Sequence, residues 1–298
     1  MPAKTVLRLA QTALALQVLL VVSGTAVRVT GSGLGCPTWP RCTGSSLTTT
    51  AELGTHGAIE FGNRLLFVVL ELVAVVLVLA VRRVPHPVAW TRLALAQAAF
   101  VPIQAVIGGL LVLSGLNPYV LILHFLTSFP LVYAAAALTR RVLDADGDRL
   151  RDVPALLHRL AGALVAATAA VLVLGTLVTG TGPHAGDPKV ERLPFHPRDV
   201  TQLHADAVYL LVGLVLATVL LTWTGPWRRP ALVLAGLVVA QGGIGYWQYF
   251  TAVPPVLVVL HVAGAALVFT TAVWLFLSTA PPDDAPRPRT APPTPVRV

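Results

Sequence analysis

Two histidines, His124 and His261, follow the same residues at the same spacing in two strongly apolar stretches of the chain. An imidazole inside a membrane helix bundle is costly, and a metal or haem iron is the usual reason for keeping one there. The spacing therefore predicts a duplicated helical unit with a candidate iron ligand in each copy. The matched pairs, each offset by 137 positions, are Gln104 and Gln241, Ile107 and Ile244, Gly108 and Gly245, Pro118 and Pro255, and His124 and His261.

The elements that position these residues are predicted from hydropathy. The chain of 298 residues is 55% hydrophobic and only 11% charged, with a mean hydropathy of +0.77, which excludes a soluble domain. A second pattern, Val-Thr-Gly-Ser-Gly at 29–33, returns as Val-Thr-Gly-Thr-Gly at 178–182. We therefore expect an all-α integral membrane protein, with eight transmembrane helices arranged as two pseudo-symmetric four-helix bundles. The predicted spans are 6–27, 61–81, 93–113, 119–138, 158–179, 203–223, 230–250 and 256–278.

The net charge of +8 indicates topology and not nucleic-acid binding. The termini and the even-numbered connections hold 15 of the 21 lysines and arginines. Because cytoplasmic loops of membrane proteins are enriched in these residues, we expect both termini in the cytoplasm. The predicted organisation is a first half (1–138), a cytoplasmic connector (139–157), a second half (158–280) and a disordered tail (281–298) rich in proline and charge. Long outer loops are expected near 28–59 and 180–200.

Cys36 and Cys42 are the only cysteines, and both fall in the first outer loop. In an oxidising compartment, two close cysteines without competing thiols are expected to form a disulfide. Their spacing is not that of a zinc ribbon, and the chain has no second pair to complete four ligands.

Three histidines are the strongest candidate ligands. His124 and His261 lie about five residues into predicted helices, roughly 7–8 Å below the headgroup boundary, and His204 opens the sixth predicted helix. Bonding to a neighbouring carbonyl or serine is the alternative role. Imidazoles from facing helices hold six-coordinate haem well, so His204 and His261 are predicted as an axial pair. His56, which leads into helix 2, is considered separately below. Plain surface or interfacial roles are expected for the other four histidines, which are His86, His158, His184 and His196.

The two halves differ where chemistry would occur. Aligning 59–64 with 200–205 places Asn63 opposite His204. It also places Glu60 and Arg64 opposite Thr201 and Ala205. We interpret this as one structural cofactor site, in the second half, and one reactive site, in the first.

Each of these polar residues also has a simpler explanation. Glu60 near a helix start could only complement the helix dipole, worth about 0.3–1 kcal/mol. Arg28 and Arg64 could extend to the membrane interface or pair with a haem propionate. If the helix begins early, His56 shares a face with Glu60. For Glu71, near the membrane midplane, packing and a proton path are equally open.

These motifs resemble the haem A synthase family, whose members are eight-helix membrane proteins that convert haem O to haem A for cytochrome oxidase. The resemblance covers the chain up to its tail. It rests on Gly31-Ser32-Gly33-Leu34-Gly35-Cys36-Pro37-Thr38-Trp39-Pro40-Arg41-Cys42, on His56-Gly57-Ala58-Ile59-Glu60 with Arg64, and on the three membrane histidines.

The resemblance implies that His204 and His261 hold a low-spin haem b, while haem O enters the first half near His124. Glu60 would be the residue most tied to catalysis. A methyl group of haem O would become a formyl group by successive hydroxylation, with electrons passing through haem b. Haem O synthase and cytochrome oxidase assembly factors would be partners, self-association is possible, and the bacterial cell membrane is the expected location.

One position departs from the family, because many members carry a histidine where this chain has Asn63. Either His124 alone ligates the iron, or His56 substitutes, or the open coordination position is useful. Our hypothesis is that His124 is the principal ligand on the substrate side. The alternative functions are a bis-histidine cytochrome b that only carries electrons, and a haem carrier that leaves the porphyrin unaltered.

Overall fold

The computed structural model describes residues 3–145, 153–184, 186–187 and 189–280. Within this part of the chain every membrane-length element is an α-helix, and eight spans are long and apolar enough to cross a membrane. The predicted eight-span membrane fold is thereby confirmed. The helices are α1 (Ala3–Val29), α2 (Gly54–Val81), α3 (Val88–Leu113), α4 (Pro118–Leu126), α5 (Ser128–Ala145), α6 (Ala155–Thr181), α7 (Pro197–Leu221), α8 (Arg228–Phe250) and α9 (Pro255–Thr279). The fourth span consists of α4 and α5 together.

The predicted helix starts differ most from the structure in the second and sixth spans. The second helix begins at Gly54 and not at 61, and the sixth span begins at Pro197 and not at 203. Hydropathy places a boundary where apolar sequence begins, whereas backbone hydrogen bonding continues into polar residues. Proline at the first helical position of α7 costs no hydrogen bond, because that N–H group has no intrahelical acceptor. As a result His204 does not open its helix but lies about two turns inside it.

The connector between the halves is also shorter than predicted. Its first residues continue α5 to Ala145, and its last residues belong to α6, which begins at Ala155. Residues 146–152 lie outside the described part of the chain. The tail predicted to be disordered, 281–298, lies outside it as well.

In each half the four spans pack as a ring. In the first half α1 packs on α2, α2 on α3, α3 on α4 and α5, and α5 back on α1; in the second, α6, α7, α8 and α9 close in the same order. Among the described residues, the diagonal helices α2 and α4–α5, and α7 and α9, do not pack along their lengths. The candidate ligands lie on these diagonal helices.

The halves meet along α1, α5 and α9. Phe129 of α5 and Phe269 of α9 are both buried there, and their ring centroids lie 5.1 Å apart in an edge-to-face arrangement. Leu172 of α6 packs in the same cluster. We call the end of the molecule that carries the loops after α1 and α6 the outer end.

The fourth span is interrupted at Thr127, immediately after His124. Pro130 explains the break, because a proline removes one helical hydrogen bond and its ring clashes with the carbonyl four residues earlier. Leu267 stands at the equivalent place in α9, which continues without interruption. The first-half histidine therefore lies on a short separate helix, and its second-half counterpart does not.

Candidate functional site

In the second half, the two candidate ligands lie on the diagonal helices, His204 on α7 and His261 on α9. Nδ1 of His204 lies 3.1 Å from the carbonyl oxygen of Val171 on α6. A carbonyl partner at Nδ1 fixes the tautomer and leaves Nε2 of His204 available, which is how histidines that ligate iron are usually held.

Glycines make room for both rings. A Cβ atom on Gly175 of α6 would lie 3.3 Å from Cε1 of His204, and one on Gly245 of α8 would lie 3.5 Å from Cε1 of His261. Nδ1 of His261 is buried and has no hydrogen-bond partner among the described residues. A buried polar atom without a partner calls for an explanation, and a ligand on this imidazole would supply one. The donor set and the space fit an axial pair.

The first half repeats the histidine and its glycine. His124 of α4 faces Gly108 of α3, where a Cβ atom would lie 3.1 Å from Cε1 of the imidazole and 3.4 Å from Nε2. Nδ1 of His124 is also buried, again without a partner in the described part of the chain. The duplicated sequence therefore produces duplicated geometry at these two positions.

Asn63 occupies the place in the first half that His204 occupies in the second. Its Nδ2 donates a hydrogen bond of 2.8 Å to Oγ of Ser23 on α1, as His204 bonds to α6, the first helix of its own half. The amide is satisfied by this serine. Opposite His124, the described residues thus offer an amide bound to α1 in place of a second imidazole.

The backbone at His124 is held by Gln104 of α3. Nε2 of Gln104 donates to the carbonyl oxygen of His124 at 3.1 Å and to Oγ of Ser128 at 2.8 Å. Its Oε1 accepts from Oγ1 of Thr127 at 2.7 Å. These bonds give partners to the carbonyl oxygen of His124 and to the hydroxyl groups of Thr127 and Ser128, all of which lie at the helix break. The sequence repeat identified Gln104, but nothing in the sequence pointed to Ser23, Thr127 or Ser128.

The second half lacks this arrangement around its own glutamine. Gly264 and Ala265 stand where the first half has Thr127 and Ser128. Oε1 of Gln241 is buried without a partner among the described residues. In the part of the chain that the structure describes, the hydrogen bonds from Gln104 brace the backbone at His124, and no equivalent bonds are seen at His261.

Glu60 lies in the second turn of α2 and is only 5% exposed. Its Oε2 accepts a hydrogen bond of 2.7 Å from the backbone N–H of Cys36, and its Oε1 lies 2.5 Å from Nη2 of Arg64. Arg64 also donates to the carbonyl oxygens of Cys36 at 3.2 Å and Thr38 at 3.1 Å. Both oxygens of the carboxylate therefore have specific partners, which is more than complementing a helix dipole.

The disulfide predicted between Cys36 and Cys42 is present, and both residues are fully buried. It closes the segment that Glu60 and Arg64 bind. The early start of α2 brings these side chains under the loop.

Arg28, in the last turn of α1, reaches the second half of the molecule. Its Nε donates to the carbonyl oxygen of His184, and its Nη2 donates to that of Thr179 at 3.4 Å. Nε2 of His184 in turn lies 2.8 Å from the carbonyl oxygen of Val253, in the turn before α9. The described contacts of Arg28 link the two halves at the outer end. Pairing with a propionate stays a prediction.

Among the described residues, no hydrogen bond or ion pair joins His56 or Glu71 to His124. His56 is exposed, its Nδ1 lies 3.0 Å from Oγ of Ser32, and it precedes Asn63 by seven residues, about 10 Å along the helix. Glu71 is half-buried on α2, and its Oε2 has no partner among the described residues. The loop contact of His56 favours the interpretation that it does not replace the missing imidazole.

The two histidines at the end opposite the outer end, His86 and His158, have ordinary partners. His86 lies 2.6 Å from both the carbonyl oxygen of Val84 and Oγ1 of Thr91. His158 lies 3.1 Å from Oγ1 of Thr279. His196, in the outer loop, is exposed.

Comparison with known proteins finds a matching family and two related sequences. A family described as cytochrome oxidase assembly protein (COX15-CtaA) matches residues 8–186, which include Glu60, the disulfide and His124. A protein of Lysinibacillus sphaericus (strain C3-41) named Heme A synthase is 34% identical over 136 residues, or 45% of this chain and 43% of that protein. A Heme A synthase of Caulobacter sp. (strain K31) is 51% identical over 45 residues, or 15% and 13%.

The chain thus aligns with less than half of the length of each relative. The family match itself covers more than half of this chain, from α1 through α6. It includes every first-half residue discussed above, and the second half repeats the glycine and histidine of that site. On this evidence the chain belongs to the family of cytochrome oxidase assembly proteins.

Proposed function

We propose that this chain is a haem A synthase, which oxidises a methyl group of haem O to a formyl group and uses a haem b held by its second half. The observation that carries the proposal is an asymmetry between two repeated sites. Both halves present a histidine against a glycine, but only the first adds a buried carboxylate, an arginine and a disulfide. The family and the names of the relatives support the same activity.

The second half would hold haem b through His204 and His261. Both histidines lie on diagonal helices that do not pack on each other along their lengths among the described residues, and the carbonyl of Val171 orients the His204 ring. Bound by two imidazoles, haem b would supply one-electron transfer. The protein's own contribution is to fix both rings and to exclude water with apolar helices.

The first half would receive haem O as substrate beside His124. Because the amide of Asn63 is bound to Ser23, one imidazole faces this position. A single axial ligand leaves the other face of the iron open, which suits activation of an oxidant and does not suit simple electron transfer. This contrast supports our proposal that the first half carries out the oxidation and the second half the electron transfer.

The reaction consists of two hydroxylations of one methyl carbon. Each replaces a C–H bond by a C–O–H group and removes two electrons from the carbon. A peroxide would give one oxygen atom to the carbon and leave the other as water, whereas dioxygen would also need two electrons, passed singly through haem b, and two protons to form that water. The second hydroxylation produces a geminal diol, which loses water to leave the formyl group. Glu60 is the acid that we assign to this chemistry, and Cys36 and Arg64 fix its carboxylate.

Two other functions fit the asymmetry less well. A cytochrome b that only carries electrons has no need of a different axial residue in one half. A haem carrier has no need of a buried Glu60 bound to a disulfide loop. In either case Glu60→Gln would leave the products unchanged.

The test is to express the chain with a haem O synthase in a host that lacks haem A, and to extract the porphyrins. We expect haem A or its hydroxylated precursor from the unaltered chain and from Glu52→Ala, which removes an exposed carboxylate near the same loop. Glu60→Ala should yield neither. Recovery of haem O alone from the unaltered chain would refute the proposal.

A further inference from the structure

The loop that closes the disulfide is fixed to α2 along one side. We call residues 30–50 the disulfide loop. Glu60 accepts the N–H of Cys36 at 2.7 Å, and Arg64 donates to the carbonyl oxygens of Cys36 and Thr38. Gly35 lies against the backbone of His56 so closely that a Cβ atom there would be 2.2 Å from the carbonyl oxygen. Charged side chains thus bind the loop backbone on both sides of Cys36.

A second anchor lies on α3. The indole of Trp39 packs onto Gly109, where a Cβ atom would lie 2.3 Å from Cδ2 of the ring. The preceding residue, Gly108, is the one that faces His124. The disulfide loop therefore places an aromatic side chain on α3 beside the residue that positions the candidate ligand.

The second half keeps the ligand geometry and lacks both anchors. Gly245 and His261 repeat Gly108 and His124. The residues that correspond to Glu60, Arg64 and Gly109 are Thr201, Ala205 and Tyr246. Since the second-half imidazole is held without these residues, the anchors do not serve to hold an imidazole. They serve something that only the first half does.

We propose that the disulfide loop is a lid over the outer end of the first-half site, and that Trp39 is a positioning residue for the substrate bound there. This rests on the proposed function, in which the first half receives haem O. A porphyrin is a flat ring that can turn about its bond to one axial imidazole. Trp39 is fixed on Gly109, one residue from the glycine that faces this imidazole. There its indole would limit the turning, so one edge of the ring would be presented to the oxidant. Glu60 and Arg64 hold the lid closed, and the disulfide limits how far the segment between Cys36 and Cys42 can extend.

The anchoring is tested without any haem chemistry. Cys36 and Cys42 are the only cysteines, so every thiol that appears in the purified protein comes from their disulfide. The disulfide is reduced with tris(2-carboxyethyl)phosphine, and the rate of reduction is measured by trapping the thiols with a polyethylene glycol maleimide. In Gly109→Ala the new methyl displaces Trp39. Gly62→Ala is the matched control, because a Cβ there meets nothing within 4 Å. We expect reduction about tenfold faster in Gly109→Ala, Trp39→Ala and Arg64→Ala, since each removes one anchor. Rates equal to that of Gly62→Ala would refute the lid.

The positioning role is tested by the products. In the host used above, the measured quantity is the amount of haem A divided by the amount of porphyrin that is hydroxylated incompletely or at another methyl group. Gly109→Ala and Trp39→Ala should each lower this ratio about tenfold relative to Gly62→Ala. The second-half haem absorbance should stay unchanged. Faster reduction with the product pattern of Gly62→Ala would refute the role of Trp39. If Gly62→Ala and the unaltered chain yield no haem A, the proposed function has failed, and the reduction rates still decide whether the loop is anchored.

Discussion

Gly108 lies so close to His124 that a Cβ atom on the glycine would be 3.1 Å from Cε1 of the imidazole. The repeat of this contact at Gly245 and His261, at 3.5 Å, shows that the spacing conserved between the halves is a packing relationship. Neither ring has a hydrogen-bond partner at Nδ1 among the described residues. The adjacent helix therefore sets the position of each imidazole through steric contact.

Replacing either glycine should displace the imidazole that it faces. A valine forced into a well-packed site costs about 1–3 kcal/mol, which side-chain movement relieves. We expect Gly245→Val to lose haem b absorbance in the purified protein, and Gly108→Val to keep it but lose haem A formation. Gly243→Val, where no atom lies within 4 Å of the added Cβ, is the control. Identical spectra for Gly245→Val and Gly243→Val would show that the contact is unimportant.

The second-half pair should be necessary for haem b. His204→Ala and His261→Ala should each abolish the low-spin haem spectrum of the purified protein, because a six-coordinate iron needs both axial imidazoles. His196→Ala removes an exposed histidine of the preceding loop and should leave the spectrum intact. An unchanged Soret band in the double variant of His204 and His261 would contradict the assignment.

Restoring a histidine at Asn63 should inhibit the first half. The side chain at this position points to α1, as His204 points to α6, so Asn63→His offers a second axial ligand to the substrate iron. We expect an additional low-spin signal when haem O is supplied, and a fall in haem A of about tenfold, since displacement of that ligand would precede oxidation. Asn63→Ala is the control, because it loses the bond to Ser23 without adding an imidazole. A lower haem A yield in Asn63→His than in Asn63→Ala would therefore be due to ligation of the iron. Equal or greater haem A yield from Asn63→His would argue against a useful open position.

Arg28 should matter for the stability of the joined halves. Its guanidinium donates to carbonyl groups of His184 and Thr179, and each bond to a charged group contributes about 1.5–3 kcal/mol. Thermal unfolding of Arg28→Ala in detergent should occur several degrees lower than that of Arg198→Ala, which removes an exposed arginine on the same side. Arg28→Lys should be intermediate, because a lysine lacks the planar fork. An unchanged melting temperature together with a shifted haem spectrum would instead support pairing with a propionate.

The sequence determined the eight spans and the disulfide, and it identified the repeated histidines with their glycines. These are properties of a local stretch: twenty apolar residues must span a bilayer as a helix, and two lone cysteines in one loop must meet or remain free. Hydropathy misplaced the starts of α2 and α7 because it does not measure hydrogen bonding.

Only the tertiary structure decided what surrounds the candidate site. Glu60 meets the backbone of Cys36, Trp39 meets Gly109, and Arg28 meets His184. Each contact joins residues that are far apart in the chain, and each depends on where helices and loops come to rest. A loop has no periodicity from which its path could be predicted, so the lid and the cross-half link had no signal in the sequence. Whether an acid faces water, a helix end or a peptide N–H depends on packing between elements, and residue type does not determine it.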